Sequence, residues 1–98
     1  MIQCGEAELQ SKDFEDGKIF FLIESGETKV EAYYRHLRNA FAHFNINHHG
    51  NFYYMKDYYP NSKIVTMIGK LMVEDLQQLC FLFSEQREKN KQLINLII

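Results

Sequence analysis

The chain has 98 residues, 46% of them apolar, and a formal net charge of −2 from 13 acidic and 11 basic side chains. A chain this short forms one small domain, residues 1–98, which buries roughly 60–70% of its unfolded surface and gains from oligomerisation. The charge balance excludes a general nucleic-acid coat, which needs a strong basic excess, but leaves room for one local positive pocket.

Met1–Gly17 is polar and acidic, unlike a secretory leader, and no apolar run approaches the roughly 20 residues that span a bilayer. Cys4 and Cys80 lie far apart and lack metal-type spacing. They read as free thiols in a reducing compartment, so a cytoplasmic location without membrane partners is expected.

Residues 1–12 are polar and read as loose. Phe14 and the block Ile19-Phe20-Phe21-Leu22-Ile23 come next. Gly26, just after Glu24-Ser25, suits a helix C-terminal cap, so a helix is predicted over 13–25. Val30, Tyr34, Leu37, Phe41 and Phe44 then recur at spacings of four, three, four and three, one stripe of a helix from about Thr28 to Phe44. Glu27 and Glu31 stand in its opening turns, where negative charge suits the helix dipole.

Asn47-His48-His49-Gly50-Asn51 reads as a turn. Residues 52–58 and 63–68 are rich in aromatic and β-branched side chains and flank Tyr59-Pro60-Asn61-Ser62. This predicts a β-hairpin with a four-residue turn. Leu76, Leu79, Cys80 and Phe83 restore helical spacing after Val73-Glu74-Asp75, predicting a helix from Val73 to at least Lys89. The apolar tail Leu93–Ile98 needs cover from its own core or a second subunit.

Chemistry concentrates on the 28–44 helix. Arg38 precedes His43 by five positions, with Asn39 directly after the arginine. Arginine grips phosphate through a planar fork of donors and keeps its charge. Histidine exchanges a proton near neutral pH. Together they supply what metal-free RNA cleavage needs. Asn39 is a poor helix former in mid-helix, so its side chain is expected to be used.

Blander readings stand beside these. Arg38 is a solvated arginine or a partner of Glu31 or Asp57. His43 is a helix-end histidine favoured by the dipole. Arg35 and His36 extend a basic face that binds substrate or is merely solvated. Tyr53, Tyr54, Tyr58 and Tyr59 stack bases or are half-buried strand residues. His36, His43, His48 and His49 lack the spacing and the acid of a metal site. No Gly-rich phosphate loop, Ser-centred triad or paired-carboxylate motif is present, which removes kinase, hydrolase and glycosidase readings.

Leu37-Arg38-Asn39-Ala40-Phe41-Ala42-His43 resembles the Arg-x4–6-His signature of the HEPN superfamily (higher eukaryote and prokaryote nucleotide-binding domains), in its "LRN-x-x-AH" form. The likeness is strongest over 30–46. It implies a mainly α fold: a small helical HEPN-like bundle, here with a β-hairpin between the motif helix and the C-terminal helix. It further implies a metal-independent, cofactor-free endoribonuclease whose site is composite at a homodimer interface. That geometry matters, because five residues of ideal helix turn Arg38 and His43 about 140° apart. In this reading Arg38 neutralises the scissile phosphate, His43 acts as general acid or base, and Asn39 orients one of them. Arg35 and His36 contact substrate. The partners implied are RNA, a second copy and, for a toxin or phage-defence component, a cognate antitoxin. A non-catalytic HEPN-like dimerisation or RNA-binding module is the alternative, and an unrelated small α+β domain is a third.

Overall fold

The computed structural model describes residues 2–79 and 81. Its centre is a five-stranded mixed sheet. The strands are β1 (Ile2–Gln3), β2 (Lys18–Phe21), β3 (Ile46–His49), β4 (Phe52–Tyr58) and β5 (Val65–Met72), in the order β1-β2-β5-β4-β3. β1 runs parallel to β2 and every other pairing is antiparallel. Helix α1 (Glu6–Gln10) contacts β5, and helix α2 (Lys29–Ala42) contacts β4 and β2.

The expected mainly helical bundle is therefore corrected to an α+β fold built on a sheet. The β4–β5 hairpin does form, from Phe52↔Met72 to Tyr58↔Val65. It is the middle of the sheet rather than an appendage, because β2 pairs with the far side of β5 and β3 with the far side of β4. β5 is buried on both faces over Thr66–Gly69, as a central strand's near-continuous apolar run requires. Gly69 fits this crowding. A Cβ there would lie 3.0 Å from Ile19 Cγ1 and 3.3 Å from Met55 Cε.

The helix expected over 13–25 is instead the strand β2, with Ile19, Phe20 and Phe21 all buried. Side chains alternate across a strand. Ile19 and Phe21 accordingly join the core under α2, while Phe20 joins Cys4, Leu9 and Ile68 on the opposite face. A short apolar run with no polar interruption suits a two-sided strand as well as a helix. Gly26, at φ 83, sits in the turn into α2 and caps no earlier helix. The residues expected to be loose at the N-terminus are β1 and α1, anchored by buried Leu9 and the free, buried thiol of Cys4. The turn expected over 47–51 is mostly β3, a polar edge strand. The turn itself is Gly50-Asn51, with Gly50 at φ 60, a positive value typical of two-residue hairpin loops.

Helix α2 begins with a capping box. Thr28 Oγ1 accepts from Glu31 N at 3.2 Å, and Glu31 Oε1 accepts from Thr28 N at 3.4 Å. It ends at the C-cap His43, beyond which Phe44 takes φ 57. Its buried face is Ala32, Tyr33, His36, Leu37 and Ala40. Only Leu37 belongs to the apolar stripe read from the sequence. Val30 and Phe41 are 49% exposed, and Phe44 is 89% exposed. The helix is thus rolled by about 90° from the orientation that burying the stripe would give.

Residues 73–79 are helical, with Leu76 buried. The expected continuation to Lys89, the tail Leu93–Ile98 and Cys80 lie outside the described residues. Among the described residues no helix is long and apolar enough to cross a membrane.

Candidate functional site

The roll of α2 divides its functional residues into an engaged set and an available set. Arg35 belongs to the first. Its Nε and Nη2 donate to the two carboxylate oxygens of Glu27 at 2.8 and 3.1 Å, and Nη1 lies 3.7 Å from Glu24. This is the fork-to-fork geometry that makes arginine–carboxylate pairs strong. The Arg35 hydrogen bonds hold the Glu27 carboxyl below its ordinary range, and Glu27 raises the Arg35 guanidinium in return.

His36 was expected on a basic face beside Arg35 and instead lies in the core at 0% exposure. Its Nδ1 is 2.7 Å from Asp57 Oδ2 and its Nε2 is 2.8 Å from the Leu22 carbonyl oxygen. With Asp57 as a carboxylate, both oxygens accept and both ring nitrogens donate, the pattern of an imidazolium–carboxylate pair. A neutral ring would set a nitrogen lone pair against an oxygen lone pair at one of these contacts. Arg35 Nη2 also approaches Nε2, at 3.4 Å. That contact is longer and needs the lone pair that the carbonyl contact rules out.

Asp57 reaches this site from the inner face of β4 and is 2% exposed. Its Oδ1 accepts from Tyr58 N at 2.9 Å, and its Oδ2 also accepts from Asn39 Nδ2 at 3.3 Å. The Asn39 side-chain oxygen in turn accepts from Arg38 Nη2 at 3.4 Å. A continuous line therefore runs from the buried His36 ring through Asp57 and Asn39 to Arg38 at the surface. Asn39 takes part as its unfavourable helix propensity suggested, by coupling Arg38 to the core.

Arg38 and His43 form the available set. Both are exposed. Among the described residues Arg38 has no ion pair, and no hydrogen bond joins it to His43. The structure thus brings Arg38, Asn39 and His36 into one network and leaves His43 apart at the helix end. The sequence reading missed Asp57 as a site residue. Its signal was there, because the inward positions of 52–58 at period two are Tyr53, Met55 and Asp57. A carboxylate on a buried strand face needs a partner.

A family model described as HEPN pEK499 p136 matches residues 6–93. The chain belongs to this HEPN family. No curated protein and no solved structure matches it. In this HEPN chain the matched span holds the whole network from Glu27 to Asp57, as well as Arg38 and His43. HEPN membership is thus compatible here with a five-stranded sheet supporting the motif helix.

Proposed function

We propose that this HEPN domain is a metal-independent endoribonuclease that works as a homodimer, with Arg38 and His43 of two α2 helices forming a composite site. The observation that carries this reading is the contrast in engagement on α2. Arg35 and His36 are engaged by Glu27, Asp57 and the Leu22 carbonyl, while Arg38 keeps its charge toward solvent beside an asparagine anchored to the core. Val30 and Phe41, about half exposed on the same side of α2, offer apolar surface for a second copy.

In the proposed reaction the His43 imidazole takes the proton of a ribose 2′-hydroxyl. The 2′-oxygen attacks phosphorus and the 5′-oxygen leaves with a proton taken from water, giving a 2′,3′-cyclic phosphate end. Arg38 offsets the charge that develops on the non-bridging oxygens. Asn39 positions Arg38. The role within a cell follows as a toxin or phage-defence component, cytoplasmic and held by a cognate antitoxin. A non-catalytic dimerisation or RNA-binding module is the second reading, favoured by the lack of contact between Arg38 and His43 within one protomer.

Incubating labelled RNA with the protein in EDTA tests the reading. Cleavage with cyclic-phosphate ends is expected, and it drops by roughly 10²–10⁴-fold in His43→Ala. Light scattering should give a dimer at micromolar concentration. Activity abolished by EDTA, or retained by His43→Ala, overturns the mechanism. A dimer that binds RNA without cutting it selects the second reading.

A further inference from the structure

We propose that the half of the sheet face left open by α1 is a binding groove for single-stranded RNA, built from base-stacking aromatics beside the Lys56 ammonium. The groove starts at the end of α2, directly after His43, and it stands whether or not His43 cleaves.

The topology creates this groove. On the face opposite α2, the short helix α1 covers Phe20 of β2 and Ile68 of β5. Among the described residues no helix covers the β4–β3 half, where the alternate residues Tyr54, Lys56 and Tyr58 lie. These line a cavity of about 390 Å³ together with Phe14, Phe44, Asn45, Asn47 and His49. Tyr54 and Phe14 meet edge-on, with centroids 5.1 Å apart and planes at 85°, so neither ring is stacked on the other. Lys56 Nζ lies 5.4 Å from the Phe14 centroid.

Charge points to the occupant. The chain has 13 acidic residues and a net charge of −2, yet among the described residues no carboxylate lines the groove. The two acids that follow Phe14 are neutralised: Glu15 pairs with Lys18, and Asp16 pairs with Lys70. Among the described residues Lys56 has no ion pair, so its charge remains for a phosphate. Aromatic side chains, a cation and amide groups in one open groove are what unpaired nucleotides recognise, since every base has a π face. Tyr53, the neighbour of Tyr54, serves the other face instead, packed against the main core and stacked on His48 at 4.8 Å.

Phe44 adds an independent observation. A bulky non-glycine residue at φ 57 is a conformational outlier, and this position after a helix favours glycine. Phe44 is nevertheless 89% exposed, so core packing does not account for it. Its place is at the groove mouth, one residue beyond His43.

Fluorescence anisotropy with a labelled 2′-O-methyl oligouridylate, which cannot be cleaved through its blocked 2′ position, tests the proposal. Tyr54→Leu with Tyr58→Leu should weaken binding about ten-fold or more, and Lys56→Gln should flatten the salt dependence. Phe44→Gly is the decisive variant. Relief of the left-handed strain leaves the melting temperature unchanged or higher, while affinity falls several-fold. Three outcomes overturn the groove: no binding of the probe at low salt, equal binding of duplex, or full affinity in both Phe44→Gly and the folded tyrosine variant. None of these bears on EDTA-resistant cleavage, so failure of the groove is distinguishable from failure of the ribonuclease reading.

Discussion

Two arginine–histidine sets share one helix and meet opposite fates. Arg35 and His36 are held by Glu27, Asp57 and the Leu22 carbonyl, and they tie α2 to the turn before it and to β4. Arg38 and His43 lie on the same helix and its C-cap and, among the described residues, face water without a carboxylate partner. Residue type therefore does not assign the role. A cation already matched to a buried or half-buried acid contributes to the fold, and only an unmatched one can meet a phosphate. The line from His36 through Asp57 and Asn39 to Arg38 shows how the first set supports the second.

The largest expected effect lies in the inner set. Asp57→Ala removes one partner of the buried His36–Asp57 pair and should cost about 3–5 kcal/mol in urea unfolding. A loss below about 1 kcal/mol would show that the pair does not hold α2 to β4. Arg35→Lys comes next. It keeps the charge but loses the bidentate fork to Glu27, for an expected cost of about 1 kcal/mol.

Glu27→Gln sharpens the same contact through pH. The folded Glu27 carboxyl is held below its ordinary value of 4.5 by Arg35. Its contribution is therefore fully present above that value and is lost as pH falls through the lower folded value. The stability gap between the unchanged protein and Glu27→Gln, about 1 kcal/mol at neutral pH, should close below pH 4.5. A gap that widened in acid would reverse the sign of the linkage.

Arg38→Lys should change stability least, by under about 0.5 kcal/mol, while impairing RNA cleavage strongly because the phosphate fork is lost. Equal effects of Arg35→Lys and Arg38→Lys on both stability and cleavage would erase the distinction between the two sets.

Local signals carried part of this fold. The β-rich segments on either side of Tyr59-Pro60-Asn61-Ser62 form the hairpin, although β5 begins at Val65 and runs on to Met72. Thr28 and Glu31 fix the start of α2 through a box contained in four residues. Arg38, Asn39 and His43 were legible as a motif because family resemblance is written in local order. β2 and β3 were not legible. Ile19-Phe20-Phe21 has no period until two faces are known to bury it, and Ile46–His49 has the composition of a loop until β4 supplies its hydrogen-bond partners.

The sequence by itself determined where α2 begins, which residues form the central hairpin and which side chains carry the motif, since caps, turns and motifs act over a few residues. Only the tertiary structure decided which face of α2 turns inward. The apolar stripe predicted one answer, but the buried face includes His36 and leaves Val30 and Phe41 half exposed. Asp57, twenty-one positions further along on β4, provides the counter-charge that makes burying His36 possible. Burying a cation is costly without a matched acid and favourable only in defined geometry. The orientation of α2, and with it the exposure of Arg38, was settled by a pairing that no local pattern contains.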